Sequence, residues 1–347
     1  MQKDKKIITH TNFAKGFRGG ERQTLLLIKE LSAKGHLQKV FTRKNSPLAD
    51  RLKGVKNLTI VQISKPYIFS LSDAKDSDVI HAHEAKGAQF AYFANLIYKT
   101  PYIITRRVSF SIKNNFLNRA IYSNSSYIIT VVDSIQDEVK KINRDLKFKT
   151  INSAYSDLDV NNSEVENIKN EFKSKFLIGT IGELEHLKGQ YYLIEAMKML
   201  QKEFPDIHLI LLGKGSEENL FKEQAKELSN VTFTGFVNNV GDYIQCFDLF
   251  AFPSLSEGIA SILFDIMQSN VPIVTTNVGG IPEYIKNDEN ALLIESKNIQ
   301  ALYESIKRLY LDKNLREKLA TKALETVEDY SITAMAQKYE KVYKELV

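Results

Sequence analysis

P-S-L-S-E-G-I-A-S-I-L-F-D, residues 253–265, is the stretch from which the fold is read. It follows Leu249-Phe250-Ala251-Phe252, an apolar run of the length and character of a buried strand. Pro253, two serines and Gly258 then make a loop. Beyond it Ile259, Ile262, Leu263, Ile266 and Met267 recur at i, i+3, i+4, i+7 and i+8, which predicts one face of a helix. Glu257 is thereby placed in the loop before a helix N-terminus. Asp265 follows eight residues later, roughly 12 Å along a helix axis, so that both carboxylates face one cleft. First-turn N–H groups lack internal partners and carry the positive end of the helix dipole, which suits a phosphate. A carboxylate, free N–H groups and a second carboxylate suit, in that order, a sugar, a diphosphate and a ribose. The plainer reading stays open at this point: Glu257 as a cap and Asp265 as a solvated helix residue.

Working outward, 347 residues suffice for two domains with full cores, and 43% hydrophobic with 26% charged residues is ordinary for a soluble globular chain. The single cysteine, Cys246, excludes an intramolecular disulfide and a cysteine-built zinc site, and its apolar surroundings place it in the core. No run approaches 18 apolar residues, and M-Q-K-D-K-K does not read as a signal peptide, so a cytoplasmic protein is expected. The net charge of +5 conceals a polarity, because residues 1–153 hold 27 Lys and Arg against 12 Asp and Glu. The remainder holds 20 against 30. Such a split points to an acidic partner of the first half: a nucleic acid, an anionic membrane surface or a phosphorylated substrate. No helix-turn-helix, RNA-binding sheet or zinc-finger pattern accompanies it, so no nucleic acid is expected.

In chain order, a short strand near Lys6–Thr9 leads into N-F-A-K-G-F-R-G-G-E (12–21) and then a helix that stops at Gly35. Strand, glycine-bearing loop and helix open a Rossmann unit, but G-x-G-x-x-G is absent and Lys15 and Arg18 stud the loop. Gly19 and Gly20 admit a plain reading as a turn needing positive φ. The strand D-V-I-H-A-H (78–83) carries His81 and His83 on one face; with no third ligand nearby, a metal is not expected there. The strand Pro101–Thr105 delivers Arg106 and Arg107 to the sheet edge. Further strands are predicted at 127–132, 148–152, 176–180, 207–212, 231–233, 248–252, 272–275 and 291–294. Helices are predicted at 86–99, 135–142, 190–203, 299–311, 314–327 and 332–345. The polar residues from 155 to 172 read as a linker. Strands alternating with helices, twice over, give a parallel-sheet α/β architecture with ligands outside the strand C-termini.

The stretch 253–265 resembles the E-x7-E element of the retaining glycosyltransferases of family 4. P-I-V-T-T-N-V-G-G-I-P-E-Y-I (272–285), Lys188-Gly189 and the strand ending His81-Ala82-His83 are similar to that family as well. The resemblance covers nearly the whole chain and is most specific in the second half. It implies the GT-B fold, two Rossmann-like parallel-sheet domains facing across a cleft. They would be residues 1–153 on the acceptor side and 173–330 on the nucleotide-sugar side, joined by a linker at 154–172. A helix within 331–347 would pack back on the first domain. It further implies retaining transfer of a hexosyl or related sugar from a nucleotide diphosphate sugar to a lipid-linked or oligosaccharide acceptor. Lipopolysaccharide core or surface polysaccharide synthesis would be the setting, with peripheral contact at the inner face of the cytoplasmic membrane through the basic half.

By the same resemblance Glu257, Lys188 and Arg107 would be catalytic. Gly19, Gly20, Gly258, Ile259, Ala260, Ser261, Asp265 and Glu183 would border the donor, and Lys15, Arg18, His83 and Arg106 the acceptor. Glu283 would be structural. No metal and no cofactor beyond the donor itself is implied. Three residues depart from the family pattern: Asp265 replaces a glutamate, Glu183 an arginine beside the diphosphate, and Arg107 a histidine. An arginine cannot serve as a base near neutral pH, but its fork can clamp phosphate. A carboxylate at 183 repels a diphosphate unless another base, Arg107 or Arg18, compensates. The rival readings are a nucleotide-sugar epimerase, a phosphorylase, for whose Schiff-base lysine no stretch qualifies, and a non-catalytic homologue.

Overall fold

The computed structural model describes residues 6–108, 110–156 and 158–347. The chain divides into two compact units, Met1–Ala154 with Tyr330–Val347, and Tyr155–Asp329. The first is built on Ile7–Asn12 (β1), Leu37–Arg43 (β2), Leu58–Ile63 (β3), Val79–Ala82 (β4), Tyr102–Arg106 (β5), Tyr127–Thr130 (β6) and Phe148–Thr150 (β7). These form one parallel sheet in the order β3-β2-β1-β4-β5-β6-β7. The second unit has Phe176–Ile181 (β8), Ile207–Leu212 (β9), Val231–Gly235 (β10), Leu249–Phe252 (β11), Ile273–Thr276 (β12) and Leu292–Ile294 (β13). They too pair in parallel, in the order β10-β9-β8-β11-β12-β13.

All-parallel sheets need helices on both faces, and the strands show it: every residue of β4, β9, β11 and β12 is buried. Helix Gln190–Glu203 covers one face of the second sheet through Leu193, Met197 and Leu200. In each unit the strand order reverses beside the first strand, between β1 and β4 and between β8 and β11. The loops leaving those strands diverge at that point and open a crevice at their C-terminal ends. Topology alone therefore directs attention to residues 182–189 and 253–261 in the second unit, and to residues 13–20 and 83–84 in the first.

One boundary differs from the sequence expectation. The stretch 154–172 carries a helix, Asn162–Glu171, whose Val165 and Ile168 are buried in the second unit. Its polarity reflects a helix with one narrow apolar edge, not an unstructured connection. The final helix, Ile332–Lys344, belongs to the first unit, where Met335, Ala336, Tyr339, Val342 and Tyr343 share a core with Ile8, Leu27, Leu31, Val79 and Ile103. Among the described residues no helix is long and apolar enough to cross a membrane.

Candidate active site

In the second unit the two loops at the sheet reversal are fastened to each other. Leu255 N–H donates to the Leu187 carbonyl at 2.8 Å. Gly189 adopts φ +70°, and a Cβ there would lie 2.0 Å from the Pro253 carbonyl oxygen, so only glycine allows this approach. The result is a pairing across the reversal: Lys188 Nζ donates to Glu257 Oε1 at 2.7 Å. Ser254 Oγ lies 2.7 Å from the same oxygen and 3.0 Å from the Leu187 carbonyl. Its single proton favours the charged acceptor. Both contacts to Glu257 fall on Oε1. The carboxylate is only 9% exposed and Lys188 29%, so the pair is more shielded than an ordinary surface bridge.

The other side of Glu257 is fixed by the Gly279-Gly280 turn. Gly280 N–H donates to the Gly258 carbonyl at 2.9 Å, and a Cβ on Gly279 would stand 1.8 Å from the Glu257 carbonyl oxygen. Tyr284 Oη donates to the Ile259 carbonyl. With those carbonyls occupied, the loop keeps its N–H groups free. Among the described residues, the backbone N–H groups of Gly258, Ile259, Ala260 and Ser261 have no protein acceptor. Successive free N–H groups of this kind form an anion-binding concavity.

Here the expectation from residues 253–265 needs correction. Ala260 takes φ +48°, which breaks the helical path, and the helix runs only Ile262–Gln268. Eight residues from Glu257 therefore do not make two helical turns. Asp265 falls in the first turn, 3% exposed, and its Oδ1 accepts the Ser156 N–H at 2.5 Å. It braces the chain's entry into this unit instead of facing an open pocket or solvent. Glu183 lies just past β8, where its carbonyl accepts Gln190 Nε2 at 3.0 Å. The loop after β9 packs on it, since Leu184 N–H donates to the Lys214 carbonyl at 3.1 Å. Lys214 itself is exposed, with its side chain lying over Gly235 at the end of β10.

In the first unit, Gly19 and Gly20 are the opening residues of helix Gly19–Ala33 and neither has positive φ, so the turn reading is excluded. A Cβ on Gly20 would meet Arg107 Cδ at 3.7 Å, which places Arg107 beside that helix start. Lys15 and Arg18 are exposed on the preceding loop, where the Arg18 N–H donates to Glu21 Oε2. Arg106 is half-buried and turned to its own loop, donating to the Phe110 carbonyl. His83 is buried, at 5% exposure.

The expectation of no third histidine fails. β1 pairs with β4 so that His10 lies opposite His81, and the ring nitrogens of His10, His81 and His83 come within 4.8 Å of one another. The spacing would admit a metal, but the surroundings do not favour one. Arg107 Nη2 reaches His83 Nδ1 at 3.2 Å, and no carboxylate hydrogen-bonds to the three rings among the described residues. A dication there would be buried beside a guanidinium without an offsetting charge. The nitrogens are instead engaged by His10–His83 (3.0 Å), His10–Gln38 (3.1 Å), His81–Tyr343 (2.7 Å) and His81–Thr105 (2.6 Å). Burial pushes the His10 imidazole down to about 4 and those of His81 and His83 well below the usual range. The polar ending of β1, H-T-N, was the available signal for His10, but only strand register brings it to His83.

Residues 161–326, nearly the whole second unit, match the family model for glycosyl transferases group 1. The second unit carries this family's pattern. An uncharacterized glycosyltransferase of Haemophilus influenzae is 28% identical over 245 residues, covering 69% of this chain and 68% of that one. A Campylobacter jejuni enzyme named as an N-acetylgalactosamine-N,N'-diacetylbacillosaminyl-diphospho-undecaprenol 4-alpha-N-acetylgalactosaminyltransferase is 27% identical, over 65% of this chain and 62% of its own length. The chain thus aligns with about two thirds of the length of these relatives. HepE of Anabaena, solved with UDP-glucose, superposes with a TM-score of 0.85 over 98% of this chain and 99% of its own, at 18% identity. That likeness gives the chain the GT-B fold, with its sheets of seven and six strands.

Proposed function

We propose that the protein moves a hexose from a nucleotide diphosphate sugar to a glycan or glycolipid hydroxyl, with retention of anomeric configuration, in bacterial polysaccharide synthesis. The observation that carries this reading is the Lys188–Glu257 pair beside the run of free N–H groups at 258–261. Glu257 Oε2, which neither Lys188 nor Ser254 uses, accepts a hydroxyl of the donor sugar. The N–H groups of Gly258 to Ser261 meet the phosphates, and Lys188 offsets the charge that develops as the diphosphate departs. Fixed donors aimed at departing charge lower a barrier without reorganising, which is the main catalytic resource of such a site. The reading requires no metal and no cofactor. Asp265 enters it only as a brace, and no ribose contact is assigned to it. In the first unit, Arg107 and the start of helix Gly19–Ala33 form a second anion-attracting point.

HepE's complex with UDP-glucose and the diphospho-undecaprenol acceptor in the Campylobacter enzyme's name support a nucleotide-sugar donor and a lipid-linked acceptor as the classes to try. The test is turnover of UDP-glucose, UDP-galactose and their N-acetylated counterparts, followed by the product's anomeric coupling. Glu257→Ala should abolish turnover of whichever donor is used. Equal rates in wild type and variant, or an inverted product, would refute the reading.

A further expectation concerns membranes. The first unit exposes Phe69 (79%), Phe110 (61%) and Phe116 (88%), on segments that also carry Lys65, Lys113 and Arg119. Apolar side chains set among cations suit an anionic bilayer surface, and we assign peripheral contact to these residues. Sedimentation with phosphatidylglycerol vesicles should capture the protein. Phe69→Ser with Phe116→Ser should release it.

A further inference from the structure

Arg107 can only donate, because a guanidinium has no acceptor. Its Nη2 contact therefore makes His83 Nδ1 an acceptor, while Nη1 reaches the His83 carbonyl at 3.3 Å. A neutral His83 then carries its proton on Nε2 and donates it to His10 Nδ1 at 3.0 Å. His10 in turn carries its proton on Nε2 and donates to Gln38 Oε1 at 3.1 Å. The amide orientation of Gln38 is fixed independently, since its Nε2 donates to the Ile28 carbonyl of helix Gly19–Ala33 at 3.0 Å. Each donor in the series meets one acceptor, and every tautomer follows from the one before it.

The geometry points to a one-way hydrogen-bond relay, Arg107 to His83 to His10 to Gln38 to the Ile28 carbonyl, in which His83, His10 and Gln38 are positioning residues for the Arg107 guanidinium. The relay exists only while both imidazoles are neutral. A proton added to His83 Nδ1 would face the Arg107 N–H, and one added to His10 Nδ1 would face the His83 N–H. The remaining groups around it are His81, Thr105, Tyr339 and Tyr343, of which His81 is tied to Thr105 and Tyr343. Glu21 acts on Arg107 through space, and the Glu84 carboxylate is committed to the N–H groups of Phe13, Lys86 and Gly87. None of these supplies a second acceptor for the two rings. Burial, which already disfavours the charged imidazole, works in the same direction.

The function given to Arg107 rests on the proposed sugar transfer, but the relay itself does not, and the test separates them. Long-range 1H–15N correlation spectra of the histidine-labelled full chain at pH 7 should show His10 and His83 both neutral with the proton on Nε2. A proton on Nδ1, an imidazolium at either ring, or a shift of both rings on adding zinc would overturn the relay. Gln38→Glu keeps the size and adds an anion beside His10 Nε2–H, so it should charge His10 and deprive Arg107 of its acceptor. With UDP-glucose as the probe, kcat at pH 7 should fall about tenfold while KM changes less than roughly threefold, and the acid limb of kcat should move up by about one pH unit. Gln38→Leu, which adds no charge, should leave that limb in place. A wild-type pH profile in a folded Gln38→Glu protein would overturn the positioning role. If the wild type turns over no donor, the spectra still decide the relay, and the failure belongs to the sugar-transfer reading.

Discussion

At the scale of single residues, the proposed chemistry rests on the Lys188–Glu257 ion pair. Lys188→Ala removes the cation assigned to the leaving diphosphate and leaves a 9% exposed carboxylate without its partner. We expect kcat to fall by about 10²–10³, the range for losing one fixed stabilising group. Lys188→Arg should restore less than half of the activity, because a fork cannot replace a point donor at 2.7 Å. Steady-state kinetics on any accepted donor checks both. The Lys188-Gly189, Glu257-Gly258 and Gly279-Gly280 motifs were visible in the sequence because each is a pair of adjacent residues, although 69 residues separate Lys188 from Glu257. The place of Asp265 was not, because a positive φ at one alanine redirects everything after it and periodicity carries no trace of that. His10 was invisible for a different reason: it meets His83 through strand pairing, a long-range event.

At the scale of elements, the two glycine contacts around the site are the joints on which the geometry turns. Gly189→Ala would place a methyl carbon into the Pro253 carbonyl and hold a non-glycine residue at φ +70°. A cost of about 1–3 kcal/mol is expected from backbone strain alone, with more from the collision. Urea denaturation followed by tryptophan-free probes such as far-ultraviolet dichroism should show the midpoint fall. The helix Ile332–Lys344 offers a second test. Tyr343→Phe leaves His81 Nδ1 buried without its 2.7 Å partner, at a cost of about 1–3 kcal/mol. These helices were legible: apolar recurrence placed 190–203, 299–311 and 332–345 close to their observed bounds. The short helices Pro47–Leu52 and Asn162–Glu171 were missed because each buries only two or three side chains, too few to register as a period.

At the scale of the molecule, protons couple to folding through the first unit. His10, His81 and His83 stay neutral when folded, with His10 titrating near 4 instead of 6.5. Between those values the unfolded chain binds protons that the native chain does not, so stability falls as pH is lowered through 6.5. His10 alone should cost about 2 kcal/mol by pH 5, at ~1.4 kcal/mol per unit. Chemical denaturation at pH 7.5 and pH 5 should show the loss, and His10→Gln should reduce the difference. The charge split belongs to the same scale. It was countable from the sequence, whereas the exposed phenylalanines that give it a direction required the fold. Vesicle binding should weaken steeply between 50 and 300 mM salt if those cations contribute.

The return of residues 330–347 to the first unit has a consequence for how the chain is made. A ribosome releases residues 155–329 as an uninterrupted, self-contained body, yet the earlier-born part still lacks Tyr339 and Tyr343 at that moment. The order of maturation is thereby inverted, the later half settling first and the beginning waiting for the end. A nascent chain arrested at residue 329 should resist protease in its second half and be cut readily in its first.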